Sequence, residues 1–200
     1  TLTWNHENEL ASPNVVPGGG GDIWPCKPNT ETGLKERGFE FLAEMERLHM
    51  IVDVSHLSDR GFWDIAEHST RPFAASHSNC RALAPHCRNL TDEMIRVMAE
   101  KGGLVGLNYC SGFLDDQPRP ELCRSTTALM ARHAAHFKQV GGIEIIGLGS
   151  DFDGIGGKLE MGDCSKLPLL ADALRKEGFT EDEVEQIFFR NAQRFFEENL

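Results

Sequence analysis

The sequence predicts an α/β fold of the (β/α)8 TIM-barrel type, of which about the last five βα units are present. Three observations carry that reading. Short apolar runs alternate with helical periodicities along all 200 residues, as expected of a parallel sheet joined by right-handed βαβ crossovers. Two of those runs end on a histidine, Ile51-Val-Asp-Val-Ser-His56 and Pro72-Phe-Ala-Ala-Ser-His77, and folds of this kind build their active sites at the carboxyl ends of parallel strands. The long polar loops, which hold nearly every His and Asp of interest, follow the strands, favouring a barrel over an open doubly wound sheet. A complete barrel takes eight strands and typically about 250 residues. Five strands therefore fit its C-terminal five-eighths, as a single domain over 1–200.

The elements follow in order. Residues 1–5 read as a strand running into His6, without an initiator Met, so the chain is expected to begin inside a domain. Residues 7–32 are rich in Pro, Gly and Asn, and so long a loop in a compact domain is usually a functional lid. Its Gly18-Gly-Gly-Gly21 lacks the Gly-Lys-Ser/Thr continuation of a phosphate loop and reads as a hinge. A helix is expected over 34–49, with Leu34, Phe41, Leu42, Met45 and Leu48 on one face. A strand over 50–55 follows, and Ser58 caps a short helix to residue 67. Next come a strand over 73–76, a polar loop to Leu90 and a helix over 92–101. Gly102-Gly103 stops that helix before a strand over 104–108. A helix over 126–140 precedes a strand over 143–149, which leads into Asp151-Phe-Asp-Gly154. Two C-terminal helices close the chain. The last opens on a capping box, Thr180 with Glu183, and carries a core stripe of Val184, Ile187, Phe188, Phe195 and Phe196.

Composition narrows the function classes. The net charge of −11 disfavours nucleic acid and anionic membranes as partners, and no apolar run is long enough to span a bilayer. The six cysteines are scattered with no Cys-x-x-Cys pair. A chain with a real core does not need disulfides, so free thiols in a reducing, cytoplasmic setting are expected.

The two strand-end histidines present half of a metal site, which points to a metal-dependent hydrolase. Side chains alternate along a strand, so a His56 aimed at the site places Val52 and Val54 beneath it and turns Asp53 toward the helices. By the same parity His77 shares a face with Phe73 and Ala75, Asp151 with Gly147 and Gly149, and His6 with Leu2 and Trp4. Four polar groups then converge without a bulge. Arg88 stands in the loop after a histidine strand. His133 and His136, at i and i+3 on a helix, read as packed or solvated side chains, and no His-Glu-x-x-His occurs.

Val52-Asp-Val-Ser-His56, Ser76-His-Ser-Asn79 with Arg88-Asn89, and Gly147-x-Gly-Ser-Asp-Phe-Asp-Gly154 resemble the membrane (renal-type) dipeptidase family, as does the opening Leu2-Thr-Trp-Asn-His6. The resemblance runs through essentially the whole chain. It implies a (β/α)8 barrel with two zinc ions that hydrolyses dipeptides, often accepting a D-residue at the C-terminal position, in a protein that often dimerises. On these positions it makes His56 and His77 zinc ligands, and His6 the group that stabilises the developing oxyanion. It makes Arg88 the holder of the substrate carboxylate, and Asp151 the carboxylate near the substrate amine and attacking water. The family's other ligands, a His-x-Asp pair and a bridging glutamate on earlier strands, have no counterpart here. The 200 residues alone are therefore expected to be inactive and poorly stable. The rival readings are another metal-dependent barrel amidohydrolase or phosphoesterase, and a non-catalytic barrel segment.

Overall fold

A computed structural model describes residues 1–15 and 26–200; the glycine run at 18–21 lies outside them. The sheet is three-stranded and parallel, in the order β1 (Ala74–Ala75), β2 (Leu104–Asn108), β3 (Ile146–Ser150). Ala74 pairs with Leu104, and Val105 with Ile146. Residues 50–55 add one parallel bridge, Asp53 to Ala74, through Val54 N–H to Ala74 O at 2.8 Å and Ala74 N–H to Val52 O at 2.9 Å. Five strands were expected, and this segment and β1 fall short for a local reason. The Asp53 carboxylate accepts from Ser55 N at 3.0 Å and Ser76 N at 2.9 Å, taking donors that would otherwise extend the ladder. Residues 1–5 form no strand. Thr1 and Thr3 lie along the 50–56 segment through their hydroxyls, which donate to Ser55 O and His56 O.

Around the sheet stand helices α1 (Glu36–Arg47), α2 (Asp59–His68), α3 (Asp92–Glu100), α4 (Ser111–Leu114), α5 (Thr127–Gly141), α6 (Leu167–Glu177), α7 (Glu181–Glu185) and α8 (Asn191–Asn199). The expected caps form. Ser58 accepts from Gly61 N, Thr91 from Met94 N and Thr126 from Leu129 N, and the Thr180–Glu183 box is reciprocal. The helix expected to run unbroken from Thr180 contains a π-helical turn, Gln186–Arg190, between α7 and α8. The inserted turn lets Asn191 reach β3, donating to Ile143 O at 2.7 Å and Ile146 O at 2.9 Å. Val184, Ile187 and Phe195 of the expected stripe are buried, whereas Phe196 is exposed.

The sheet's two faces are chemically distinct. Val52, Val54, Phe73, Ala75, Val105, Leu107 and Ile146 belong to the main core, shared with Phe62 and Ile65 of α2, Ile95 and Met98 of α3, and Phe137 of α5. Ala74 and Leu104 point the other way, against Phe195 of α8. Through its register with Ala74, Asp53 belongs to this second face. Val52 and Val54 thus pack into the core shared with α2 and α3, while Asp53 shares the face of Ala74.

Two glycines hold the strands' upper ends close. A Cβ at Gly106 would lie 2.1 Å from Ser76 O and 2.7 Å from Gly149 Cα, and one at Gly149 would lie 2.2 Å from Ser76 O. Nearby, Asn108 pairs with Ser150 across a register shift after Leu107, so the expected bulge-free convergence does not hold.

Cys26 and Cys87 form a disulfide, correcting the expectation of six free thiols. With Val15 they make a small buried cluster apart from the main core. Cys80, Cys110, Cys123 and Cys164 are free. No helix among the described residues is long and apolar enough to cross a membrane.

Gly106→Ala and Gly149→Ala are expected to destabilise the fold by about 1–3 kcal/mol each through overpacking against backbone. Gly147→Ala, whose Cβ would have Leu104 side-chain atoms as its nearest neighbours at 3.5 Å and beyond, should be nearly neutral. Urea midpoints of the three variants check this.

Candidate active site

The carboxyl ends of the sheet carry the site. His56 closes the 50–55 segment in a left-handed conformation, φ 72°, uncommon for any residue but glycine. That turn, not strand alternation, aims its ring at His77. The two Nε2 atoms are 2.9 Å apart. Ser76 Oγ donates to Asp53 Oδ2 at 2.6 Å and so accepts from His77 Nδ1–H at 2.7 Å. On the other ring, His56 Nδ1–H donates to Asn5 Oδ1 at 3.1 Å. With the Nδ1 atoms carrying the protons, both Nε2 lone pairs face each other. Burial, reinforced by Arg88 and His77, pushes the His56 pKa down to about 2, and burial with Arg88 also lowers that of His77. His56 therefore stays unprotonated near neutral pH, and protonation of His77 is disfavoured.

Two imidazoles, each fixed through Nδ1 with Nε2 lone pairs converging, fit a soft or borderline cation. Nitrogens sharing a tetrahedral zinc would lie roughly 3.3 Å apart, close to the separation found. Among the described residues no third His, Cys, Asp or Glu atom completes this pair. The trio brought together, Cys26, His86 and Cys87, consists of the disulfide and a histidine whose Nδ1 accepts from Arg88 N–H at 3.1 Å.

Beside the pair opens a cavity of about 390 Å³, lined by His56, Arg88, Asp151, Trp4, Phe113 and Ile155 among others. Arg88 is 6 % exposed. Its Nη2 donates to His77 O at 3.0 Å, its guanidinium lies 5.5 Å from the Phe113 ring centre, and its buried Nε has no partner. Burial pulls its pKa down to about 10, so it stays charged at neutral pH. Phe113 also stacks against His86, with ring centres 4.5 Å apart. Asp151, at φ 71°, accepts from Asn108 Nδ2 at 3.1 Å. The carboxylate lies over Gly154, where a Cβ would fall 2.2 Å from Asp151 Oδ1 and displace it.

The structure therefore brings together four of the five residues singled out in sequence, save that Asp151 and Arg88 face the cavity while His77 stands behind His56. The fifth, His6, is exposed at the edge and stands edge-on to Trp4, with ring centres 6.1 Å apart. Asn5, Asp53, Ser76, Asn108 and Phe113 were not singled out. Asp53 carried a signal, a charge inside an apolar run, which the parity reading turned toward the helices. His133 is a core residue, accepting from Cys80 N–H and donating to Leu114 O.

A family model described as membrane dipeptidase (peptidase family M19) matches residues 1–199. An uncharacterized protein in the pqqA 5′ region of Klebsiella pneumoniae is 36 % identical over 191 residues, covering 96 % of this chain and 68 % of that protein. An uncharacterized dipeptidase of Schizosaccharomyces pombe is 34 % identical over 197 residues, covering 97 % and 44 %. Among solved structures, the metallo peptidase called dipeptidase AC superposes with a TM-score of 0.89 at 32 % identity, covering 98 % of this chain and 56 % of that one. A metallo peptidase from Rhodobacter sphaeroides, liganded with a phosphinate mimic of L-Ala-D-Ala, gives 0.87 at 31 %, covering 99 % and 54 %. The chain thus spans about half the length of these two solved relatives.

Four histidines make the stability pH-dependent. Burial depresses His56 to about 2, His86 and His133 to about 4, and lowers His77, from an unfolded value of 6.5. Below pH 6.5 the unfolded chain binds protons that the folded one refuses, so stability is complete above that value and falls toward the folded pKa values. The metal-free protein should lose about 1.4 kcal/mol per pH unit for each histidine that stays neutral. Urea melts from pH 7 to 5 check this, and a flat profile would contradict it.

Proposed function

The chain belongs to the membrane dipeptidase family, and from that premise we propose that it is the C-terminal part of a (β/α)8-barrel, zinc-dependent dipeptidase, with residues 1–200 forming one domain. The observation that carries the substrate reading is Arg88. Among the described residues this buried guanidinium has one carbonyl partner, a bare Nε and no carboxylate bonded to it, with Asp53 and Asp151 acting only through space, so an anion bound to it would offset its desolvation. The free carboxylate of a dipeptide supplies one, with the planar fork as its receptor. Phe113 backs the guanidinium and keeps its charge directed into the cavity.

His56 and His77 are the residues that would hold zinc, through Nε2, and two ions per complete site are proposed. When bound, zinc supplies an acidified water and polarises the peptide carbonyl. The rest of the work falls to this chain's own side chains. Asp53 orients His77 through Ser76, and Asn5 orients His56, so the ligand tautomers are set before anything binds. Asp151, steadied by Asn108, is placed to receive a proton or the substrate ammonium at the cavity wall. His6 would reach the scissile carbonyl from its position on Trp4, at the cavity edge, and stabilise the oxyanion. The 7–32 loop contributes Asn14 and Val15 to the wall, which suits a substrate as small as a dipeptide.

The His-x-Asp pair and bridging glutamate implied by the resemblance have no counterpart in these 200 residues. This stretch by itself is therefore proposed to be inactive and to bind zinc weakly, and a homodimer is proposed for the whole protein. The expectation of a cytoplasmic setting rested on free thiols, and the Cys26–Cys87 disulfide removes that support.

In the full-length protein, Arg88→Ala should raise KM for dipeptides about thirtyfold or more and leave KM for the corresponding C-terminal amides nearly unchanged. Equal losses for both would remove its role. His56→Ala should lower the zinc content measured by atomic emission. The 200-residue chain, assayed alone with zinc, should show no dipeptide turnover.

A further inference from the structure

Arg88 makes few contacts of its own, so its placement depends on the backbone that carries it. Besides the Cys26–Cys87 disulfide and the bond from Arg88 N–H to His86 Nδ1, one side chain grips that backbone on both sides. Arg81 Nε donates to Asn89 O at 2.8 Å and Arg81 Nη2 to Cys87 O at 3.2 Å, gripping the carbonyls on both sides of Arg88. The same guanidinium forms a bidentate pair with Asp59, Nη1 to Oδ2 at 2.6 Å and Nη2 to Oδ1 at 2.7 Å. Both side chains are largely buried, at 17 % and 11 % exposure.

The position of the pair in the chain gives it reach. Asp59 opens α2 three residues after His56, where its charge suits the helix N-terminus. Arg81 stands four residues after His77 and is fixed by its own N–H to Leu90 O at 2.8 Å. One planar fork thus ties the loop after the first histidine to the loop after the second, and holds the Arg88 backbone against both. Lysine could match the charge at Asp59 but not span two carbonyls and a carboxylate in one plane.

We propose that Arg81, fixed by Asp59, is a positioning residue that sets the carboxylate-binding geometry of Arg88. This rests on the reading of Arg88 as the carboxylate receptor. A guanidinium displaced by an ångström loses the aligned bonds on which selection for a carboxylate depends, and misplacements of that size cost up to about a hundredfold.

The experiment uses full-length, metal-loaded protein carrying Arg81→Lys, Asp59→Asn, Arg88→Ala or Arg81→Lys with Arg88→Ala. Three quantities are read: KM and kcat for a dipeptide and for its C-terminal amide, the Kd of a dipeptide isostere with a methylene-amine linkage by calorimetry, and Tm. Arg81→Lys and Asp59→Asn should each raise KM and Kd for the free carboxylate about tenfold or more, with kcat within about twofold. Both should erode the preference for acid over amide. In the Arg88→Ala background, Arg81→Lys should add nothing, the signature of a residue acting through its neighbour. A lowered Tm with the acid-over-amide preference intact would overturn the proposal, as would full additivity of the two substitutions. If Arg88→Ala itself leaves the preference untouched, the carboxylate reading fails and this inference falls with it, whereas a loss seen only with Arg88→Ala defeats the positioning role alone.

Discussion

The carboxylate of Asp53 organises the end of the sheet. It accepts from Ser55 N, Ser76 N and Ser76 Oγ, joining the two segments that deliver the histidines. These bonds replace ladder pairing at the point where a parallel sheet would leave donors unsatisfied. They also fix the Ser76 hydroxyl with its proton toward the carboxylate, which determines the tautomer of His77. The same group thus ends two strands and orients the His77 imidazole, so the site's geometry is inherited from the backbone and not from a flexible loop.

Close approach of the strands makes that inheritance accurate. Gly106 and Gly149 leave no room for side chains beside Ser76 O, and the chain beyond them departs from regular pairing. Asn108 turns its amide to Asp151, while Ser150 and Asp151 take positive φ values of 34° and 71°. Irregular backbone at functional positions is costly, and persists where surrounding contacts over-determine it. Here those contacts are the glycine packing below and the bonds to Asn79, whose amide donates to Asn108 O and Phe113 O.

Charge is distributed unevenly around the cavity. Burial and Arg88 lower the pKa values of both histidines, and Arg88, itself buried, keeps its charge beside Asp53 and Asp151. Under the proposed function the imidazoles would take a cation and the guanidinium an anion, each ligand bringing the complementary charge. The Asp59–Arg81 pair holds the two halves in register without taking part in either.

The sequence by itself determined the α/β alternation, most helix starts and the identity of the histidines, arginine and aspartate, because caps, apolar periods and short motifs are local in the chain. It also carried the family, through four motifs in the right order. What it could not determine were the relations set by contact across the fold. Strand alternation gave Asp53 no partner, and only the tertiary structure brings it to Ala74 and Ser76. His56 and Asp151 reach the cavity through left-handed turns that strand alternation does not anticipate, and the Cys26–Cys87 pairing joins residues 61 apart. Asn5 and Phe113 gain their roles from the rings beside them, and the brace at Arg81 exists only where two loops meet. Each of these follows from long-range packing, and residue spacing carries no record of it.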